Sequence, residues 1–168
     1  LTYLIIYVPR FDYIQGRIFS FFNRETGTHN FQSDKAIESI TSGGFFGKGI
    51  GEGVLKNRVP EAHTDYIISV ISEEFGVVAI MLILLLFLIL IYMVFKKISF
   101  ETNDKAKLIL IGSISLILMQ ATIHIGVNIR LFPTTGMTLP FLSYGGSSII
   151  STSILAGIIL NLTKRKIT

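Results

Sequence analysis

The chain has 168 residues, half of them hydrophobic, with 15% charged, no cysteine and a mean hydropathy of +0.62. An ordinary soluble domain carries about 25% charged residues, so a soluble enzyme is excluded, and the lack of Cys excludes a disulfide scaffold, a thiolate zinc site and a Cys nucleophile. A net charge of +4 is modest for a nucleic-acid binder, and its placement follows membrane topology instead, so no nucleic-acid partner is expected.

Residues 1–8 are apolar and too short to span a bilayer. They follow neither an initiator Met nor a basic n-region, so a secretory signal is not expected. They read as the end of a transmembrane helix that begins before Leu1, which makes the chain a fragment. Residues 9–64 form a long loop, and 9–65 hold seven basic and seven acidic residues. Tyr13, Ile14, Ile18, Phe19, Phe21 and Phe22 give the loop an apolar-aromatic face, which predicts a short interfacial helix. A second short helix is expected over 32–41, stopped at Ser42-Gly43-Gly44. Residues 43–53 then hold six glycines in eleven positions. A P-loop needs Ser or Thr after its Lys, and Lys48 is followed by Gly49. A dinucleotide fingerprint needs a βαβ unit that the chain does not offer. The stretch reads as a mobile or tightly turning segment.

Transmembrane helices are expected over 65–95, 108–127 and 141–162. Residues 75–95 carry no charge, and 21 residues cross a hydrocarbon core of about 30 Å at about 1.5 Å per residue. The connections 96–107 and 163–168 hold seven basic residues between them, against Arg130 alone in 128–140. The positive-inside bias therefore puts 96–107 and the tail in the cytoplasm, with 9–64 and 128–140 outside. The fold class is an all-α integral membrane protein.

Candidate chemistry gathers where the outer loop meets the first full span, in Pro60-Glu61-Ala62-His63-Thr64-Asp65. At 100° per residue Glu61, Asp65, Ser69 and Ser72 fall within roughly 40° of one helical line. Asp65 is placed at headgroup depth. Glu73 and Glu74 lie about two turns deeper, where an ionisable group is costly and is a functional candidate by default. First-turn acids also cap helices and meet the macrodipole, so on residue pattern alone both roles stay open for all three. His63 stands beside Asp65, and His124 is expected to bond a neighbouring helix. No HExxH-type spacing is present. Mg²⁺ or another divalent cation bridging Asp65 and a diphosphate stays open, and no permanently bound cofactor is expected. The last span opens Thr138-Leu139-Pro140-Phe141-Leu142-Ser143-Tyr144-Gly145-Gly146-Ser147-Ser148. Its small residues suit close helix packing, and a helix N-terminus there suits an anion.

Those two segments, with Glu73-Glu74-Phe75-Gly76 and Gly136-Met137, resemble the SEDS family (shape, elongation, division and sporulation). The resemblance runs from about Arg10 to Arg165. Thr138, where rod-shape members usually carry Pro, favours the division branch. Arg130 and Thr135 depart from the common pattern, in which many members have a small or neutral residue and a Lys there.

The resemblance implies the C-terminal part of a fold of roughly ten helices, with a large extracytoplasmic loop. It further implies a peptidoglycan glycosyltransferase that polymerises lipid II at the septum, in the bacterial cytoplasmic membrane. The implied partners are a class B penicillin-binding protein (an FtsI-like transpeptidase) and other division proteins. The family's essential carboxylate maps to Asp65. Glu61, His63, Thr64, Ser143, Gly145 and Gly146 are expected to contact substrate, with Lys56 and Arg58 ahead of Lys48 and Arg130 as cations for its diphosphate. A lipid II translocase and a non-catalytic scaffold are the competing readings, and the fragment alone is expected to be inactive.

Overall fold

The computed structural model describes residues 28–59 and 61–164, with Gly16 and Phe21. The expected apolar stub 1–8, the interfacial helix around 13–22 apart from Gly16 and Phe21, and the end of the basic tail lie outside the described residues. Five helices can be bounded among the described residues, and no strand is found among them: α1 Thr28–Gly43, α2 Leu55–Arg58, α3 Ile67–Phe100, α4 Asp104–Asn128 and α5 Gly146–Thr163. Three of them, α3, α4 and α5, are long and apolar enough to cross a membrane.

The spans form because their residues are predominantly apolar, which suits a helix surrounded by hydrocarbon or other helices. Asn103 starts α4, its side chain accepting the Lys105 backbone N–H at 3.0 Å. Val94, Leu110, Ile114, Ile117 and Ile159 form the core between the spans. A second core lies at the opposite end of α3, where Ala36, Leu55, Val59, Ala62, Tyr66, Val70 and Val127 join α1 and α2 to the membrane helices.

The α3 helix is expected from sequence to be continuous, and it is not. Gly76 has φ 76° and ψ −174°, outside helical geometry, and breaks α3 into an upper segment of about two turns and a lower segment ending at Phe100. In an unbroken helix Val77 and Val78 would donate to the carbonyls of Glu73 and Glu74. Instead they donate to Gly44 and Phe45, at 3.0 and 3.4 Å, while Lys48 and Gly49 donate to Glu73 and Glu74, at 2.8 and 3.1 Å. The glycine-rich loop thus replaces the missing rungs of the ladder, satisfying backbone groups that would be costly to leave bare. The approach is close enough to require glycine on both sides. A Cβ on Gly47 would come within 2.2 Å of the Glu74 carbonyl oxygen, and one on Gly76 within 2.2 Å of the Phe45 carbonyl oxygen. Of the two expectations for 43–53, the structure shows the tight turn.

The lower segment, 77–100, is about 36 Å long and crosses a hydrocarbon core unaided. The upper segment is wrapped by α1 and the loop, with Ile68, Ser69, Val70, Ser72 and Glu73 buried.

Candidate functional site

The site is built on a polar stripe of α4. Gln120, His124 and Asn128 recur every four residues and so share one face. His124 and Asn128 are fully buried. Gln120 Nε2 donates to the Thr138 carbonyl and to Ser148 Oγ, both at 2.9 Å. Thr138 Oγ1 donates to Ser148 Oγ at 2.7 Å. His124 Nδ1 lies 2.7 Å from the Met137 carbonyl oxygen, which fixes that nitrogen as the donor. Asn128 Oδ1 accepts from the Ser69 backbone N–H and hydroxyl, at 3.2 and 2.7 Å. Its Nδ2 donates to the carbonyls of Asp65 and His124, at 3.0 and 2.9 Å. The stripe therefore ties the segment before α5 to the start of α3. Its signal was present in the sequence, as three amide or imidazole side chains four apart in an otherwise apolar run.

The two motif segments also touch directly. Ser143 Oγ donates to the Thr64 carbonyl at 2.8 Å and accepts the Leu139 N–H at 2.8 Å. The Tyr144 N–H donates to the His63 carbonyl at 3.2 Å. Ser143 is expected to face substrate, yet it is buried and its hydroxyl is engaged at both ends. Gly145 is the N-cap of α5, with extended backbone, and its Cβ position lies 3.2 Å from Thr138 Cγ2. Gly146 is exposed, and a Cβ there would meet no atom within 4 Å. Of this group, Gly146 keeps an open face.

Asp65 is half-buried at the entrance to α3. Its Oδ2 lies 3.6 Å from the Cβ position of Gly136, whose φ is 71°. Gly136 thus brings bare backbone close to the carboxylate, at a position that favours glycine. The expected helical line through Glu61, Asp65, Ser69 and Ser72 does not exist. Tyr66, with φ −122° and ψ 26°, stands outside the helix, and 61–65 are turns in which Glu61 accepts from the Thr64 and Asp65 N–H groups. Glu61 and His63 are exposed and Thr64 is half-buried, whereas Ser69 and Ser72 are buried. The turn separates the outer residues from the helix register.

The deeper acids divide. Glu73 is 2% exposed, accepts from Lys48 Nζ at 2.9 Å, and its other oxygen accepts the Leu55 N–H at 3.0 Å. It bolts the glycine-rich loop and α2 to the upper half of α3. Lys48 is therefore occupied by Glu73, which weakens it as a substrate cation. Glu74 is half-buried beside Gly53. A cleft of about 140 Å³ opens here, lined by Lys35, Glu38, Lys48, Arg58 and Glu73 among others. The Lys35 ammonium holds the Glu38 carboxyl below its usual range by hydrogen bonding and charge, with Arg58 and Lys48 adding to the pull. Arg58 is exposed at this cleft. The Lys56 side chain lies outside the described residues. Arg130 pairs with Asp34 of α1 and so braces the loop after α4. Among the described residues, no three His, Cys, Asp or Glu side chains converge on a metal position. A divalent cation at Asp65 would therefore take most of its ligands from a bound phosphate.

A sequence model for the cell cycle proteins FtsW, RodA and SpoVE matches residues 1–167. The chain belongs to this family. Relatives named probable peptidoglycan glycosyltransferase FtsW include one from Enterococcus hirae, 41% identical over 82% of this chain and 35% of the relative. Another, from Caulobacter vibrioides, is 39% identical over 93% of this chain and 40% of the relative. A solved structure concerning a peptidoglycan synthase complex that coordinates polymerization and crosslinking matches 94% of this chain and 42% of that chain. The identity there is 28% and the TM-score 0.69. The chain spans about two fifths of the length of the FtsW relatives it matches. The residues that sequence reasoning did not single out for the site are Asn128 and Gly136, which hold or border the Asp65 segment, and Gln120, which holds the Thr138–Ser148 segment.

Proposed function

We propose that the whole protein is a peptidoglycan glycosyltransferase that polymerises lipid II during septal wall synthesis, and that Asp65 is its general base. The names of the FtsW relatives support the activity. The observation that carries the assignment to Asp65 is its setting: backbone clamped by Asn128, carboxylate half-buried beside the bare backbone of Gly136.

Lipid II carries its sugar α-linked to diphosphate, and the glycan it yields is β-linked. One inverting displacement meets that change. The acceptor hydroxyl attacks the anomeric carbon, Asp65 takes the hydroxyl proton, and the bond to diphosphate breaks with its electron pair leaving on the phosphate oxygen. A positioned base contributes about 10²–10⁴-fold to such a step. Arg58 at the cationic cleft, with Lys56, is the group to meet the leaving diphosphate. The basic connections 96–107 and 163–168 support a place for Asp65 on the outer side of the cytoplasmic membrane, the side on which this reaction would consume lipid II. The class B penicillin-binding transpeptidase is the partner, and the neighbouring synthase complex supports that pairing.

A translocase would place charges deep in the bilayer, and a scaffold would tolerate loss of Asp65. Wild-type whole protein is assayed with purified lipid II for glycan chains, and in liposomes for lipid movement, alongside Asp65→Asn. The proposal expects glycan from wild type, glycan slower by about 10²–10⁴-fold from a variant that still inserts and binds its partner, and no dependence of lipid movement on Asp65. Glycan from Asp65→Asn at near wild-type rate overturns it.

A further inference from the structure

The carbonyls of His63, Thr64 and Asp65, three in succession, are each taken by a donor from the far end of the chain. The donors are the Tyr144 N–H, the Ser143 hydroxyl and the Asn128 amide, at 3.2, 2.8 and 3.0 Å. Asn128 does something more specific than brace a loop. In an α-helix the Ser69 N–H would donate to the Asp65 carbonyl, four residues earlier. Here the Ser69 N–H donates to Asn128 Oδ1 at 3.2 Å, and Asn128 Nδ2 donates to the Asp65 carbonyl at 3.0 Å. The amide is inserted into the ladder as a bridging unit, and such insertion opens a helical turn.

We infer that Asn128 is a positioning residue for Asp65, with Ser143 as its second bracket. The inference rests on the reading of Asp65 as general base. By keeping Asp65 out of the α3 ladder, Asn128 turns its carboxylate toward Gly136 instead of along the buried line of Ser69 and Ser72. Without the amide, Ser69 can bond Asp65 directly. The helix then lengthens by a turn and swings the carboxylate onto that buried line. The Ser143 hydroxyl fixes the preceding peptide, so the two together define the turn from which Asp65 projects. This also explains why the His63–Asp65 and Thr138–Gly146 segments, far apart in sequence, form one constellation.

The test uses the whole protein with its transpeptidase partner and purified lipid II, and reads kcat and KM separately on the folded, partner-bound fraction. Misplacing a reacting group by about 1 Å costs about 10²-fold in rate. Asn128→Ala should therefore lower kcat by about that factor, with KM for lipid II changed less than threefold. In an Asp65→Asn background the same change should cost nothing further, because the base it positions is already gone. Ser143→Ala should lower kcat by about tenfold, and Ser143→Thr, which keeps the hydroxyl, should restore it. If Asn128→Ala does not fold, the Ser143 pair decides. Wild-type kcat in folded Asn128→Ala overturns the inference, as does a full additional loss in the Asp65→Asn background, or wild-type kcat in Ser143→Ala where Asn128→Ala cannot be folded. Each leaves the Asp65 assignment standing if Asp65→Asn alone is slowed by about 10²–10⁴-fold. An Asp65→Asn protein at near wild-type rate sinks both.

Discussion

Gly76→Ala should release the glycine-rich loop from α3, and the cost can be worked from the contacts at the break. At φ 76° and ψ −174° the residue occupies a region essentially reserved for glycine, where a side chain costs about 1–3 kcal/mol. A Cβ there also meets the Phe45 carbonyl oxygen at 2.2 Å and the Gly47 nitrogen at 2.5 Å, both of them backbone. The chain can keep the break and bear that strain, or heal α3 and expel the loop. Healing gives up the four bonds made by Lys48, Gly49, Val77 and Val78 and regains two helical ones, a net loss of about 2 kcal/mol at about 1 kcal/mol each. Expulsion also separates Lys48 from Glu73, a charge-assisted bond worth about 1.5–3 kcal/mol. Healing therefore costs on the order of 3–5 kcal/mol, and keeping the break costs about 1–3 kcal/mol with the backbone clash of the Cβ added.

The assay is thermal unfolding of the whole protein in detergent, paired with limited proteolysis. Gly112→Ala and Gly157→Ala serve as controls, since a Cβ at either meets no atom of this chain within 4 Å. Gly76→Ala should melt well below both controls and be cut within 43–53. A Gly76→Ala protein that melts with the controls and keeps the loop protected refutes the reasoning.

Breaking a buried pair from one side costs more than removing both members. Lys48→Met should therefore destabilise more than Lys48→Met/Glu73→Gln, measured as melting temperature. Equal losses would show that Glu73 does not depend on Lys48 for its charge. Gln120→Leu removes the donor to the Thr138 carbonyl and to Ser148. At about 1 kcal/mol per lost bond, it should destabilise the whole protein by about 2 kcal/mol, and hydrogen exchange should speed up in 137–148. Asp34→Ala removes the exposed partner of Arg130 and should cost less than about 1 kcal/mol, because solvent screens such pairs. A larger loss would mean that the bracing of the loop after α4 matters more than its exposure implies.

The three spans could be read from hydropathy because each holds a long, predominantly apolar stretch, and lipid-facing helices need no finer pattern. The backbone ladder continues past the expected ends through Lys96–Phe100 and Asp104–Lys107, where composition turns polar, whereas the helices expected from 65 and 141 begin later, at Ile67 and Gly146. The break at Gly76 was hidden for the same reason that the spans were clear. A glycine inside a uniformly apolar run carries no periodic signal, and its partner loop lies some thirty residues earlier. Asp65, His63 and Thr64 stood out through their motif, but their geometry did not. The helical line assumed for Glu61 to Ser72 presumes helix through Tyr66, and tertiary bonds from Asn128 and Ser143 override that local preference. Ser143 had the composition of a ligand contact and serves as an internal bracket, a distinction set by which carbonyl lies across from it.

The central claim is that proton removal by the Asp65 carboxylate drives transfer. It is tested most directly by the single-turnover rate of glycan bond formation from purified lipid II, comparing wild-type whole protein with Asp65→Asn at equal lipid II occupancy. The account predicts a drop of about 10²–10⁴-fold at unchanged occupancy. A rate within twofold of wild type would contradict it.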